Sequence, residues 1–479
     1  MDKLTKRDLI RIGAVMVVLA AVLLASMFLN ALISNANMGE VVRESGLTYL
    51  CVCALFVFLV FVYFVCMSYI GRDIVKSLKK MVMLASMVFI SFELNLVIGA
   101  TVNLYLRPYA LVALLLTVLF NRNTGIFTSF VVILLTLFND MITGEFGVSQ
   151  ANLAAILLGV VSCVFSSVAS DGKSERFRAV LAGLVIAVPS IVVVGLSEFM
   201  FGSAPRVVLQ SCIYACTSPI FSVMLFMIFL PLFEKLFNVV TTYRLYELTD
   251  PSAPLMKMLK EVAPGTFNHA IVVANLAEAC AYKIGANPQL ARAAAYYHDI
   301  GKTVHPEYFV ENQSRGVNPH DDLTPEMSTS IIKRHGIAGY EICLDHNIPR
   351  EIADVCLQHH GTLPIYYFYM KAQKFTDGTL DIDQFRYDGP KPQSKVAAII
   401  MVADACEAAI RASESKDIDK IEEIVRKIIE QRIDEDQFTE CDLTFKEVYD
   451  IKDAIVANYT GIYHERLKYP KLKLSKKRK

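Results

Sequence analysis

The sequence predicts an all-α protein made of a polytopic transmembrane helix bundle and a soluble all-α domain. Apolar runs follow one another from Asp2 to about Phe237, whereas the chain from Asn238 onward has the composition of a water-soluble protein. In this second half, apolar residues recur at helical intervals and no alternating strand pattern competes with them. The predicted divisions are a transmembrane region at 1–237, a connector at 238–262, a domain at 263–465 and a basic tail at 466–479.

The charge balance and the cysteines narrow the classes of protein to consider. Lys and Arg number 47, as do Asp and Glu, so the formal net charge is zero and gives no case for nucleic-acid binding. The eleven cysteines form no CxxC pair and have no regular spacing. We therefore expect reduced thiols of a cytosolic compartment that pack as small buried side chains.

Eight segments are predicted to span the membrane, since a helix needs about 20 apolar residues to cross a bilayer. The fourth and fifth are short, and they are expected to tilt or to pack as a hairpin around residues 121–125. The predicted spans are residues 10–33, 47–70, 81–102, 108–120, 125–140, 152–170, 177–201 and 207–235.

Basic residues predict the orientation of these spans, because they are enriched in cytoplasmic loops. With the N-terminus inside, the outer segments hold only Arg43, Arg107 and Arg206. An even number of spans then places the C-terminal half in the cytosol as well. The inner segments hold Lys3, Lys6, Arg7, Arg11, Arg72, Lys76, Lys79, Lys80, Arg122, Lys173, Arg176 and Arg178.

Glu93 is an ionisable residue well inside the third predicted span, with Asn95 close by. A charge inside a bilayer is costly and is often functional. The alternative is a protonated side chain that is hydrogen-bonded to a neighbouring helix. The sequence leaves both interpretations open.

Helices also account for the soluble half. Gly285 predicts the end of one helix, and Asn287 with Pro288 predicts the start of the next. A further amphipathic helix is predicted at 233–248, before the soluble domain and after Pro231, with Phe233 on its apolar stripe. The segment 374–392 is predicted to be a loop. The remaining predicted helices are 266–284, 287–300, 325–335, 337–346, 349–358, 363–372, 393–413, 417–431 and 444–460.

All nine histidines lie at position 269 or later, and this clustering indicates a common role. In YYHDIGK, His298 and Asp299 are adjacent, so their side chains leave the chain in different directions and can hold one metal ion or two. A single His-Asp pair is weak support by itself. The spacing of the whole set over separate helices suits a binuclear site in a helical bundle: His269, His298, Asp299, His335, His359, His360 and Asp404.

These residues belong to longer motifs that resemble the HD phosphohydrolase superfamily, and more closely the seven-transmembrane HD family of cyclic di-AMP phosphodiesterases. The resemblance runs through most of 246–411. It includes YELTDPSAPLMKMLKEVAPGTFNHA, IGANPQLARAAAYYHDIGK, NPHDDLTPEMS, LQHHGT and FRYDGPKPQSKVAAIIMVADACEAAIRA.

The resemblance implies a membrane-anchored enzyme that hydrolyses cyclic di-AMP to linear pApA and so ends second-messenger signalling. It implies two divalent metal ions, with iron or manganese favoured, bridged by Asp299 and activating a water. Lys302 is expected to be catalytic and to contact a phosphate, and Tyr297 to contact substrate. His360 is expected to be a further ligand or a phosphate contact. The implied ligands are His269, His298, Asp299, His335, His359, His360 and Asp404.

The chain departs from the family pattern in one place. That pattern has a sizeable extracytoplasmic domain between the first span and the next seven, but here the interval is only about 31–46. This domain is therefore expected to be missing. The expected location is the cell membrane of a bacterium, with both termini cytoplasmic. Membrane lipids are expected partners, a second copy of the chain is a candidate partner, and no nucleic acid is expected.

Other functions stay open at this point. A cyclic di-GMP phosphodiesterase of the HD type would carry Gly-Tyr-Pro after the histidine pair, whereas this chain reads HHGTLPIYY. A dNTP phosphohydrolase fits the membrane half poorly. A receptor that binds nucleotide without cleaving it is the alternative from another class, and the complete ligand set argues against it.

Several residues are assigned structural roles instead. His305, His320 and His346 match no ligand position, and we expect them to be solvated or capping residues. The aromatic run 366–369 could stack an adenine, but packing is the favoured interpretation. The basic tail is expected to be a solvated terminus rather than a contact for anionic headgroups.

Overall fold

The computed structural model describes residues 4–34, 38–143, 149–170, 176–313, 318–375 and 380–463. These residues form helices, short 3-10 turns and one isolated antiparallel bridge between Pro364 and Arg386, so the predicted all-α class is confirmed. The chain divides into two compact units between Tyr243 and Arg244. The basic tail and His464 lie outside the described residues.

The first unit is a bundle of nine α-helices within the described residues. Seven of them are long and apolar enough to cross a membrane, and these are α1, α2, α4 and α6 to α9. The helices are α1 Lys6–Ser34, α2 Met38–Ile70, α3 Arg72–Val75, α4 Leu78–Thr101, α5 Ala110–Leu119, α6 Arg122–Thr143, α7 Gln150–Ser170, α8 Arg176–Met200 and α9 Pro205–Phe237.

The fourth predicted span is a short helix, α5. Its ten residues rise about 15 Å, which is half of the hydrocarbon thickness. Nearly all of α5 is buried among the other helices, so its apolar character comes from its position in the bundle core. Seven of the eight predicted spans are therefore long apolar helices, and the fourth corresponds to the short buried helix α5.

The bundle buries more charge than the sequence indicated. Arg107, predicted to lie in an outer loop, is only 2% exposed and forms a bidentate ion pair with Asp140 over 2.6 and 2.7 Å. Glu198 is also buried and accepts hydrogen bonds from Tyr105 and Ser211. Glu93 is therefore one of several ionisable residues in the bundle, and its Oε1 has no hydrogen-bond partner among the described residues.

The helix predicted at 233–248 is wrong as a single element. α9 ends at Phe237, and Asn238 takes a left-handed conformation with φ 41°. Asparagine tolerates this conformation at a helix end, where its N–H bonds to the preceding turn. A separate short helix begins only at Thr242, after a non-helical segment. Pro231, which precedes the helix predicted at 233–248, lies inside α9.

The second unit is helical as well. Asn287 caps α13 through bonds from the N–H groups of Gln289 and Leu290, and Gly285 has φ 71° just after α12, as predicted. The helices are α10 Thr242–Leu248, α11 Pro254–Val262, α12 Pro264–Lys283, α13 Pro288–Tyr297, α14 Pro325–Asp345, α15 Arg350–Gln358, α16 Tyr366–Gln373, α17 Lys395–Ala412, α18 Ile418–Asp434 and α19 Phe445–Tyr463.

Two helices predicted in this unit are joined in the structure. The helices predicted at 325–335 and 337–346 are one continuous helix, α14. Gly336 does not end a helix here, because it serves close packing instead. A Cβ at Gly336 would lie 2.9 Å from the Cys356 carbonyl oxygen of α15.

Candidate metal centre

Five helices of the second unit bring the predicted ligands together. α12 packs against α13 and α17, and α15 packs against α13, α14 and α17. The predicted ligand side chains, which are far apart in the sequence, therefore lie close together where these helix ends and faces meet. His269 lies on α12, His298 and Asp299 follow α13, His335 lies on α14, His359 and His360 follow α15, and Asp404 lies on α17.

The described residues contain two groups whose potential ligand atoms lie within 4.8 Å of one another, and Asp299 belongs to both. Each group combines imidazole nitrogens with carboxylate oxygen, a donor set that suits divalent transition metals. The first group is His269, His298, Asp299 and Asp404, and the second is Asp299, His335, His359 and His360.

The carboxylate of Asp299 turns one oxygen toward each group. Its Oδ2 lies 3.2 Å from Nε2 of His298 and 3.7 Å from Nε2 of His269. Its Oδ1 lies 3.4 Å from Nε2 of His335 and 3.6 Å from Nε2 of His359. This single side chain therefore lies between the two groups.

Backbone carbonyls orient three of the imidazoles. The Nδ1 atoms of His298, His335 and His359 lie 2.7, 2.6 and 3.0 Å from carbonyl oxygens one helical turn earlier. If each Nδ1 carries the proton, each Nε2 is left with a lone pair that faces the centre. Hydrogen bonding at one ring nitrogen is the usual way in which proteins fix the other for a metal.

The buried polar atoms of the site indicate that a cation fits among them. Both oxygens of Asp299 and Nε2 of His298 are buried without a hydrogen-bond partner in the described part of the chain. Lys302 and the nearby imidazoles contact Asp299 only in ion-pair geometry. Buried polar atoms without partners are costly, so a cluster of them facing one another requires a compensating group. Divalent metal ions supply it.

Burial and nearby charges shift the pKa values of two histidines, one from each group, in opposite directions. Burial lowers the pKa of His335 to about 4, so its imidazole is neutral at physiological pH. Burial also opposes the charged form of His298, but the carboxylates of Asp299 and Asp404 raise its pKa to about 10. The first group therefore concentrates negative charge that attracts cations, whether protons or metal ions.

Lys302 lies beside the centre. Its Nζ is 2.6 Å from Oδ2 of Asp299 and 2.9 Å from Oε1 of Glu311. Burial disfavours its charge, but these two carboxylates raise the pKa of Lys302, which keeps the ammonium charged. A cation next to the centre fits the predicted phosphate contact, which stays a prediction.

Three residues of the site were missed by sequence reasoning. Glu407 accepts a hydrogen bond from Nδ1 of His269, where His298, His335 and His359 use a backbone carbonyl oxygen instead. Glu311 holds Lys302 and also accepts from the Thr266 hydroxyl. The ring of Tyr387 stacks on His360 at a centroid distance of 4.3 Å. Only Glu407 left a signal in the sequence, three residues after Asp404 on the same helix face.

The predicted substrate contact of Tyr297 is not supported. Its side chain is buried, and its hydroxyl donates to the Leu248 carbonyl oxygen over 2.8 Å. The phenol therefore anchors α13 inside the domain core and is not available to a nucleotide.

Of the other described histidines, His305 and His346 are exposed as expected, whereas His320 is buried and is neither solvated nor a cap. His305 is largely exposed and His346 follows the last turn of α14. His320 is buried against Tyr308 and Phe368, and its Nε2 lies 2.9 Å from the Tyr308 carbonyl oxygen. Within the aromatic run, Phe368 packs in this cluster while Tyr367 is exposed.

Comparisons with known proteins agree with this division into two units. The family model described as "7TM receptor with intracellular HD hydrolase" matches residues 46–241, and the HD domain model matches residues 266–409. The chain thus matches both parts of the family of seven-transmembrane receptors with an HD hydrolase domain. Residues 46–241 hold six of the long helices and the short α5.

Two curated relatives match about three quarters of this chain. A protein named cyclic-di-AMP phosphodiesterase PgpH from Listeria monocytogenes is 41% identical over 372 residues, covering 76% of this chain and 50% of its own. The protein of the same name from Bacillus subtilis is 38% identical, covering 76% and 51%. The chain thus spans about half the length of the curated relatives it matches.

A solved structure also matches the HD domain of this chain. It is the crystal structure of the L. monocytogenes PgpH HD domain in complex with cyclic-di-AMP, at 50% sequence identity. The match covers 45% of this chain and 100% of that chain, with a TM-score of 0.43.

Proposed function

We propose that this protein is a membrane-anchored phosphodiesterase that opens cyclic di-AMP to linear pApA. The observation that carries the proposal is the carboxylate of Asp299, with one oxygen facing each of two imidazole-rich groups. Two relatives named cyclic-di-AMP phosphodiesterase, similar over three quarters of this chain, support the substrate.

Two divalent ions, iron or manganese, would bind in these groups. One would be held by His269, His298 and Asp404, the other by His335, His359 and His360, with Asp299 shared between them. Iron and manganese both accept this mixture of imidazole and carboxylate ligands. When bound, such ions lower the pKa of a water and neutralise charge on phosphoryl oxygens.

The side chains of the protein supply orientation and charge. Hydrogen bonds at Nδ1 hold the imidazoles of His298, His335 and His359 in place before substrate arrives. Lys302 adds a buried ammonium next to Asp299, where it can pair with a phosphate oxygen. In the reaction, the oxygen of water bonds to phosphorus while the 3′ oxygen of the second nucleotide leaves with a proton. The product is a linear dinucleotide.

The topology belongs to the same proposal. Excess Lys and Arg in alternate loops supports N- and C-termini in the cytoplasm, which places the HD domain beside a cytoplasmic second messenger. The divisions proposed are a membrane region to residue 237, a connector to 262, the HD domain to 465 and a basic tail. Lipids contact the membrane region, and a second copy of the chain remains a candidate partner.

The test is turnover by the purified full-length protein in detergent, with iron or manganese, on cyclic di-AMP and on cyclic di-GMP. We expect pApA from cyclic di-AMP, and we expect chelator to stop the reaction and returned metal to restore it. Faster hydrolysis of cyclic di-GMP, with little of cyclic di-AMP, would overturn the substrate. Binding of cyclic di-AMP without any turnover in the metal-loaded protein would instead indicate a receptor.

A further inference from the structure

The loop that carries two predicted ligands, His359 and His360, continues through Gly361 and Thr362. We call residues 359–363 the histidine loop. Gly361 has φ 54°, a left-handed conformation that few other residues adopt. A Cβ at this position would collide with Oε1 of Gln437. The loop therefore makes close contact with a residue that lies far along the chain.

Gln437 lies between α18 and α19 and is completely buried. Its Oε1 accepts the Thr362 N–H over 3.0 Å, and its Nε2 donates to Oγ1 of Thr362 over 2.9 Å. The second proton of the same amide goes to the Glu435 carbonyl oxygen over 2.7 Å. Both amide protons and the amide oxygen are therefore used, and two of the three bonds hold one residue of the histidine loop.

A second side chain holds the same residue from another direction. Arg386 donates from Nη1 to the Thr362 carbonyl oxygen over 3.1 Å and to Oε2 of Glu435 over 2.7 Å. The N–H, the carbonyl oxygen and the hydroxyl of Thr362 are thus all engaged. Glu435 and Gln437 belong to one turn. This turn therefore fixes the histidine loop at the Thr362 N–H through Gln437 and at the Thr362 carbonyl oxygen through Arg386, which is paired with Glu435.

We infer that Gln437 is a positioning residue for the metal group formed by His335, His359 and His360. It contacts no ligand atom, and it acts through Thr362 by fixing the backbone that directs the two imidazoles. Residues that orient metal ligands typically contribute about 10–100-fold to metal affinity. The inference rests on the proposed two-metal centre, and it extends the machinery of that centre beyond the matched HD region at 266–409.

Metal titration of the full-length protein tests this inference without measuring turnover. After removal of metal with chelator, Mn²⁺ is titrated into the wild-type protein and into Gln437→Leu, which keeps volume but removes every amide bond. We expect the wild type to bind two ions. In Gln437→Leu, one of the two should bind about 10–100-fold more weakly, with the other unchanged. Gln373→Leu, at an exposed glutamine on α16, is the matched control and should titrate like the wild type.

A pair of variants at Thr362 keeps the test decisive if Gln437→Leu does not fold. Thr362→Val keeps the shape but loses the hydroxyl, whereas Thr362→Ser keeps the hydroxyl. We expect Thr362→Val to weaken the same single ion and Thr362→Ser to restore wild-type binding. Two ions of wild-type affinity in folded Gln437→Leu, or identical binding by the two Thr362 variants, would overturn the inference.

The same titration distinguishes failure of the proposed two-metal centre from failure of the positioning role of Gln437. If the wild-type protein binds only one ion, the centre itself is wrong whatever the variants do. If the wild type binds two ions and the folded variants also bind both normally, the centre stands and the positioning role of Gln437 is wrong.

Discussion

Asp299 offers the sharpest test at the scale of a single residue, because its two oxygens face different groups. In Asp299→Ala, both groups lose a carboxylate and two cations would face each other without negative charge between them. We expect metal content to fall below one ion per chain and turnover on cyclic di-AMP to fall by more than about 100-fold. Metal analysis of the purified protein, together with product formation, measures both effects.

Lys302 is the matched comparison in the same centre, because it contributes charge but is not a predicted ligand. Lys302→Met should keep both ions, while turnover should fall by about 10²–10³ if the ammonium pairs with a phosphate oxygen. Should this variant lose metal to the same extent as Asp299→Ala, the role given to Lys302 would be wrong.

At this scale the sequence indicated the groups that bind but not those that orient them. The clustering of the predicted ligands could be foreseen because histidine and aspartate in separated motifs carry recognisable chemistry. Glu407 was missed in spite of its spacing from Asp404, since a glutamate on a helix is usually solvated and only packing shows that it bonds to His269. Tyr297 was misjudged for the same reason, because its direction from α13 depends on tertiary structure.

At the scale of helices, Gly301 controls how the turn after Asp299 packs on α14. A Cβ there would overlap the His335 carbonyl oxygen and come within 2.5 Å of the Gly339 N–H nitrogen. Gly301→Ala should therefore push α14 away and destabilise the second unit by about 1–3 kcal/mol. Thermal unfolding of the full-length protein measures this loss. Gly13→Ala, where a Cβ meets no atom within 4 Å, should leave that transition unchanged.

The ion pair of Arg107 and Asp140 makes a separate prediction for the helix bundle. Asp140→Asn leaves the buried guanidinium without its counter-charge, which should cost about 3–5 kcal/mol of bundle stability. The double variant Arg107→Met with Asp140→Leu removes both charges and should be less destabilised than Asp140→Asn. Denaturation in detergent micelles compares the two. Equal loss in both would mean that the pair acts through packing alone.

Helix positions were predictable where apolar periodicity and caps agreed, as at Asn287 and Gly285. Two failures have physical causes. Gly336 looked like a helix end, but it permits close contact between α14 and α15. Residues 108–120 were predicted to be helical throughout, but only the ten-residue helix α5 forms there and the bundle buries it, which hydropathy alone does not show.

At the scale of the whole molecule, the connection between the units is interrupted. α9 ends at Phe237, and α10 starts only at Thr242, so no single helix runs from the membrane region into the HD domain. Inserting two glycines after Asn238 lengthens a segment that is already non-helical, at a cost below about 1 kcal/mol. We expect the insertion variant to have the metal content of the wild type, and its turnover to respond to the lipid composition of vesicles as that of the wild type does. A changed response to lipid would mean that this segment transmits a signal.

The turn at residues 435–437 also bears on how the catalytic unit is delimited. The match to the HD domain model ends at residue 409, before α18, although the bonds that hold Thr362 come from the far side of that helix. A fragment trimmed to the recognisable domain would retain every predicted ligand and lose the contacts that fix two of them. The HD domain model and the second compact unit thus have different ends, and expression or engineering of this domain should follow the second.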